Sequence, residues 1–143
     1  MAACACPCSA CSTRWGHPDR NPAVPTASPG PAAPESSSDS ALILALTTEA
    51  DGERAEALAR ELLDRRLAAC VALTPLSSLY HWRGALERSQ EVQLLIKSQA
   101  SQLQALEAAV HSLHSYDTPE WLFWSVAASA GYGSWLRQSC ASS

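Results

Sequence analysis

The order in which two apolar periodicities alternate along residues 41–143 constrains this chain more than any other feature. Ala41-Leu42-Ile43-Leu44-Ala45-Leu46 is apolar at every position, as a short strand buried on both faces requires, and it ends in Thr47 and Thr48. Ala55, Leu58, Ala59, Leu62, Leu63 and Leu67 then recur at helical spacing. They follow Thr48 and Asp51, either of which offers a capping oxygen, so a helix is predicted over residues 52–66. Cys70-Val71-Ala72-Leu73 reads as a second strand interrupted by Pro75, with aromatic-rich Leu79-Tyr80-His81-Trp82 beyond it. Gly84 supplies a turn and residues 91–97 return as a third strand, which makes a long, bent hairpin. Leu103, Leu106, Val110 and Leu113 repeat at three and four, predicting a second helix over residues 101–114. Pro119 breaks the chain, Trp121-Leu122-Phe123-Trp124-Ser125-Val126 follows as a fourth strand, and residues 132–138 suit a short closing helix.

This is the β-α-β-β-α-β order of a ferredoxin-like α+β domain, with both helices on one face of the sheet. The other face then needs a cover. Val92, Leu94 and Ile96 point one way while Gln93, Leu95 and Lys97 point the other, and the Trp121 to Trp124 segment is apolar on both sides. An aromatic patch of that kind marks an interface, so the domain is expected to oligomerise.

Ahead of this domain, residues 1–40 hold seven of the nine prolines together with Ser, Ala and Gly runs. Such a segment buries too little apolar surface to offset chain entropy, so a disordered Cys/Pro/Ser-rich tail is expected, ending near Asp39. It lacks the basic start and apolar stretch of a signal peptide. It is acid-poor and carries Arg14 and Arg20, but its prolines oppose an amphipathic helix, so a cytoplasmic location is expected, with a mitochondrial one the lesser alternative. Cys4, Cys6, Cys8 and Cys11 crowd this tail and leave only Cys70 and Cys140 in the domain, a distribution that suits a reducing compartment rather than a disulfide framework. The tail thiols suit either a soft ion such as Cu(I) or a solvated segment with oxidisable or acylated cysteines.

The formal net charge is −4 with acids and bases interleaved, and the absence of a basic stripe argues against a nucleic-acid partner. No window approaches about 18 consecutive apolar residues, so no membrane span is expected. Nothing resembles a nucleophile elbow, a Walker loop or a dinucleotide fingerprint, and no enzymatic activity is expected.

Four segments in order carry a resemblance: Arg66-Leu67-Ala68-Ala69-Cys70-Val71; Ser78-Leu79-Tyr80-His81-Trp82-Arg83-Gly84; Glu91-Val92 with Ile96-Lys97; and Tyr116-Asp117-Thr118-Pro119-Glu120. Together with Tyr132 and Trp135-Leu136 they resemble the CutA divalent-cation-tolerance family, in the manner of its animal homologues, over nearly all of residues 41–137. The resemblance implies a ferredoxin-like protomer in a tight homotrimer, its long hairpin reaching across to neighbouring sheets. It also implies a link to divalent-metal tolerance and copper binding, and for animal relatives an association with acetylcholinesterase processing and localisation. Thr47 and Leu113 stand where copper-binding bacterial relatives carry Cys and His, so that of the paired histidines only His114 is kept.

The metal candidates are therefore His114 and Cys70. Each also has a plain structural reading, His114 as a helix-terminal imidazole and Cys70 as a small core residue. His111 lies three residues before His114, but two imidazoles alone make a weak site. In a trimer one His and one Cys per chain become three of each, and copper would be the divalent ion held best. Trp82, Lys97, Tyr116 and Glu120 form a second candidate group, a ligand or interface pocket. Glu120 would be its base and Lys97 its anion clamp, unless those two pair with each other or cap backbone groups at a subunit contact. Trp82, Trp121, Trp124 and Trp135 read as core and interface anchors. Three functions fit these features: a trimeric copper-responsive protein, a non-catalytic trimeric scaffold that binds a partner enzyme, and a small-ligand sensor using inter-subunit clefts as trimeric PII signalling proteins do.

Overall fold

The computed structural model describes residues 41–140, and the expectations for the tail and its four cysteines lie outside them. Strand β1 (Leu42–Glu49) leads into helix α1 (Gly52–Asp64), strands β2 (Cys70–Trp82) and β3 (Ala85–Gln99), a short 3-10 turn (Ala100–Gln102), helix α2 (Leu103–Leu113), strand β4 (Leu122–Val126) and helix α3 (Ala130–Cys140). The sheet order is β2-β3-β1-β4 and every neighbouring pair is antiparallel, which is the ferredoxin-like arrangement.

Local chemistry explains the boundaries. Asp51 caps α1 by accepting a hydrogen bond from the Arg54 backbone N–H at 2.9 Å. The far end closes two residues earlier than the apolar pattern predicts. Arg66 takes a left-handed conformation (φ 55°), its N–H donates to the Leu63 carbonyl, and the Leu67 N–H reaches back to the Leu62 carbonyl at 2.9 Å. That is a Schellman closure with Arg where Gly is usual, so the sequence carries no signal for it.

Ile43 and Ala45 of β1 and Leu94 and Ile96 of β3 form the floor of the main core. Ala55, Leu58, Ala59 and Leu62 of α1 and Leu106, Ala109 and Val110 of α2 form its roof. Leu62, Leu94, Ile96, Leu106 and Val110 are fully buried, and each contributes about 1.5–3 kcal/mol by leaving water. Leu136 and Cys140 of α3 make a smaller cluster with Leu42 and the partly buried Ala69 and Val126, covering one end of the opposite face.

Pro75 does not interrupt β2, contrary to the sequence expectation. It sits in register opposite Val92 within one continuous strand. β2 is a sheet edge, where alternate N–H groups have no neighbour to meet, so a proline there forfeits no ladder bond. The hairpin instead runs past the sheet. β1 pairs with β3 only from Val92 to Gln99, so residues 76–91 of the two strands find their strand partners solely in each other. Arg83 (φ 50°) and Gly84 (φ 83°) close this ribbon through a two-residue turn with both residues left-handed.

Removing the cap oxygen of α1 tests this account at one atom. At fixed protein concentration, Asp51→Ala is expected to lower stability by about 1 kcal/mol in urea denaturation, and Asp51→Asn to keep most of it. Equal midpoints for Asp51→Ala and the parent would contradict the assigned cap.

Candidate functional site

The side-chain alternation of β1 places Thr47 and Glu49 on the helix-covered face, in line with Ile43 and Ala45, and both are buried. His114 follows directly on α2, and its ring is fully enclosed beside them. The Tyr116 backbone N–H donates to His114 Nδ1 at 3.0 Å, which leaves the ring proton on Nε2, donated to Thr47 Oγ1 at 3.2 Å. Glu49 Oε1 lies 3.6 Å from the same Nδ1, but a nitrogen that accepts from Tyr116 has no proton for it, so the contact is not an ion pair in this tautomer. Glu49 is satisfied elsewhere. Oε1 accepts from the Ser115 N–H at 3.1 Å, and Oε2 from the Ser115 hydroxyl and the Ala50 N–H. A carboxylate this deep is stable only with such donors.

One residue further on, the same loop turns outward. Tyr116 donates its hydroxyl to Glu91 Oε1 at 3.2 Å, and Glu91 Oε2 accepts from Ser78 Oγ at 2.5 Å. The loop is thereby tied to the base of the hairpin ribbon. Between ribbon and loop lies an open cleft of about 850 Å³, walled by Tyr80, Trp82 and Tyr116 and bearing Glu91, Asp117 and Glu120. Partial burial and the neighbouring Glu91 carboxylate push the Tyr116 phenol above its ordinary value of 10.0.

Three of the four pocket candidates, Trp82, Tyr116 and Glu120, meet in this cleft. Lys97 does not. It faces Cys70 across the β2–β3 ladder with Nζ 3.6 Å from Sγ, near the far end of β3, so within one protomer it pairs with no carboxylate of the cleft. The expected pairing of Lys97 with Glu120 is accordingly absent within the protomer. Cys70 and His114 are also kept apart, Cys70 on the face of Lys97 and His114 on the face of Thr47. His111 is exposed and turns to Glu107, 3.9 Å away. Among the described residues no three His, Cys, Asp or Glu side chains converge as a metal would require. One protomer therefore does not fit a copper ion as it stands. Trp121 packs against the core, whereas Trp82, Trp124 and Trp135 stand about half exposed. Glu49 and Glu91 escaped the sequence reading as site residues. Glu49 is recoverable from the pattern, since it occupies an inward position of β1, whereas Glu91 looks like any exposed strand carboxylate.

Comparison with known proteins adds to this geometry. The family model described as "CutA1 divalent ion tolerance protein" matches residues 43–139. The divalent-cation tolerance protein CutA of Pectobacterium atrosepticum is 46% identical over 99 residues, covering 68% of this chain and 90% of the relative. That of Escherichia coli K12 is 42% identical over 107 residues, covering 73% and 96%. Among solved structures, CutA from Synechococcus elongatus PCC7942 superposes with a TM-score of 0.70 at 39% identity, over 71% of this chain and 92% of that one. CutA1 from Oryza sativa does so with a TM-score of 0.70 at 32% identity, over 75% and 100%.

Two outcomes test the network. Glu49→Ala strands the Ser115 and Ala50 donors and is expected to cost on the order of 3 kcal/mol in urea denaturation. Glu49→Gln, which keeps an acceptor, should cost less, and an Ala variant as stable as the parent would contradict the burial of this group. Tyr116 binds its proton more tightly folded than unfolded, so its contribution is complete below pH 10.0 and lost as pH rises through the higher folded value. Tyr116→Phe is expected to remove that alkaline component from a plot of stability against pH, and an unchanged plot would contradict it.

Proposed function

The chain belongs to the CutA1 divalent ion tolerance family, and on that premise we propose that it works as a homotrimer, without catalysis, in the response to divalent metals, copper foremost. One observation carries the assembly. Outside the end covered by α3, the sheet face opposite α1 and α2 carries no layer of its own chain, and its apolar side chains are only partly covered, with half-buried Leu44 and Leu46 of β1 in register with Lys97 and Leu95 of β3 and with Trp124 and Leu122 of β4. Leu122 and Trp124 are about half exposed, as are Leu79, Trp82 and Leu86 on the ribbon. A two-stranded ribbon is marginal in water by itself, and packing it on neighbouring copies buries both surfaces.

The metal role rests on the family and on multiplication by symmetry. Cys70 lies on the open face, where three copies would present three thiols, and the Irving–Williams order ranks copper first for such donors. His114 would have to release Thr47 and the Tyr116 N–H before it could ligate.

That commitment of both ring nitrogens favours a second reading, a trimeric scaffold whose metal site has lapsed and which binds a partner enzyme, acetylcholinesterase among the animal homologues. A cytoplasmic location suits either reading, with a mitochondrial one the lesser alternative. Among the described residues no helix is long and apolar enough to cross a membrane.

Native mass measurement with and without copper separates these. The expected result is a trimer whose melting temperature rises with copper and rises less in His114→Ala. A trimer indifferent to copper selects the scaffold. A well-folded monomer at micromolar concentration overturns both.

A further inference from the structure

The domain offers a metal few free donors. His114 commits one ring nitrogen to Thr47 and the other to the Tyr116 N–H. Cys140 is fully buried, with Ser98 against its sulfur. Cys70 faces Lys97 on the sheet side left to neighbouring copies. Among the described residues no three ligating side chains converge. The other four of the six cysteines lie at positions 4, 6, 8 and 11, outside the described residues.

The donor set of that segment discriminates among metals. Residues 1–12 contain no Asp, Glu or His, so thiols are the strong side-chain ligands they offer. Hard ions such as Mg²⁺ and Ca²⁺ want carboxylate and carbonyl oxygens, and the side chains there supply only hydroxyls. Structural zinc sites take their ligands from two halves separated in sequence, with about two to four residues between the cysteines of a half. Here the intervening stretches are one, one and two residues, and no second pair of cysteines precedes Cys70. Cu(I) is soft, prefers thiolate and is satisfied by fewer ligands than a tetrahedral ion, so thiolates this close along the chain share it at small loop-closure cost. We propose that Cys4, Cys6, Cys8 and Cys11 bind monovalent copper through their thiolates, without a ligand from the domain. This deepens the metal reading above by giving it other ligands, and it does not depend on the trimer.

Anaerobic titration of the reduced full chain with Cu(I), in competition with the chromophoric chelator bicinchoninate, tests this. The chain is expected to take about one Cu(I) from the chelator. X-ray absorption at the bound copper should show sulfur neighbours only, and equimolar Zn²⁺ should not displace it. Cys4→Ser/Cys6→Ser/Cys8→Ser/Cys11→Ser should abolish the transfer, with circular dichroism and melting temperature matching the parent. No transfer to the parent, undiminished transfer to the serine variant, nitrogen or oxygen neighbours at copper, or displacement by zinc would overturn the proposal. The two metal readings fail separately. Transfer that survives in the serine variant but is lost in Cys70→Ser or His114→Ala overturns the tail site and keeps copper in the domain. A parent that takes Cu(I) through the tail while its domain melts at the same temperature with and without copper keeps the tail site and overturns the domain one.

Discussion

The antiparallel pairing of β1 with β3, from Leu42 opposite Gln99 to Glu49 opposite Val92, fixes the rest of the molecule. Side chains alternate with period two, so a slip of β3 by one residue would turn Leu94 and Ile96 away from the helices and bring Gln93 and Lys97 under them, beside Leu95. The core tolerates only the observed register. The same register delivers Thr47 and Glu49 to the helix side just as β1 ends, within reach of the loop that follows α2. It also sets where the β2–β3 hairpin runs out of sheet, because β1 has no residue left to pair beyond Val92.

Two consequences oppose each other energetically. The helix side is closed over β1 and β3, and the buried polar groups of its network are matched with donors and acceptors. The other side ends with Leu46, Leu95 and Leu122 in line and α3 covering only the far end around Leu42. The ribbon adds Leu79, Trp82 and Leu86 to the exposed apolar area without a layer behind it. A protomer built this way keeps its fold through one face and leaves the other to be buried by association, which is why packing calls for further copies of the chain.

Much of the architecture is legible in the sequence because it is written in apolar spacing: four strands, two core helices and their order need only Leu, Ile, Val and Ala at the right intervals. What escapes is set by backbone conformation or by partners distant in the chain. The end of α1 turns on a left-handed Arg66, which has no glycine to announce it, and Pro75 reads as a break because an edge position is a property of the sheet. For the candidate site, Trp82, Tyr116 and Glu120 line one cleft, since the loop and hairpin that bear them are neighbours in the fold. Lys97 joins that group through the family resemblance, and within the protomer strand length carries it to the other end of β3. The roles of Glu49 and Glu91 depend on donors at Ser115 and Tyr116, and no local pattern connects those positions.

The loop from His114 to Glu120 divides the chemistry of the protein in two. Its first residues point inward and are consumed: His114 by Thr47 and the Tyr116 N–H, Ser115 by Glu49. Every polar atom spent there holds β1 to the loop and is unavailable for a ligand unless the loop is disturbed. Its later residues, Asp117 and Glu120, face the cleft without ion-pair partners among the described residues, and the Tyr116–Glu91–Ser78 bonds fix where they stand relative to Trp82. Rigidity on one side is thus what gives the other a defined shape. A metal acting through His114 must break the rigid half, because both ring nitrogens are already committed to it.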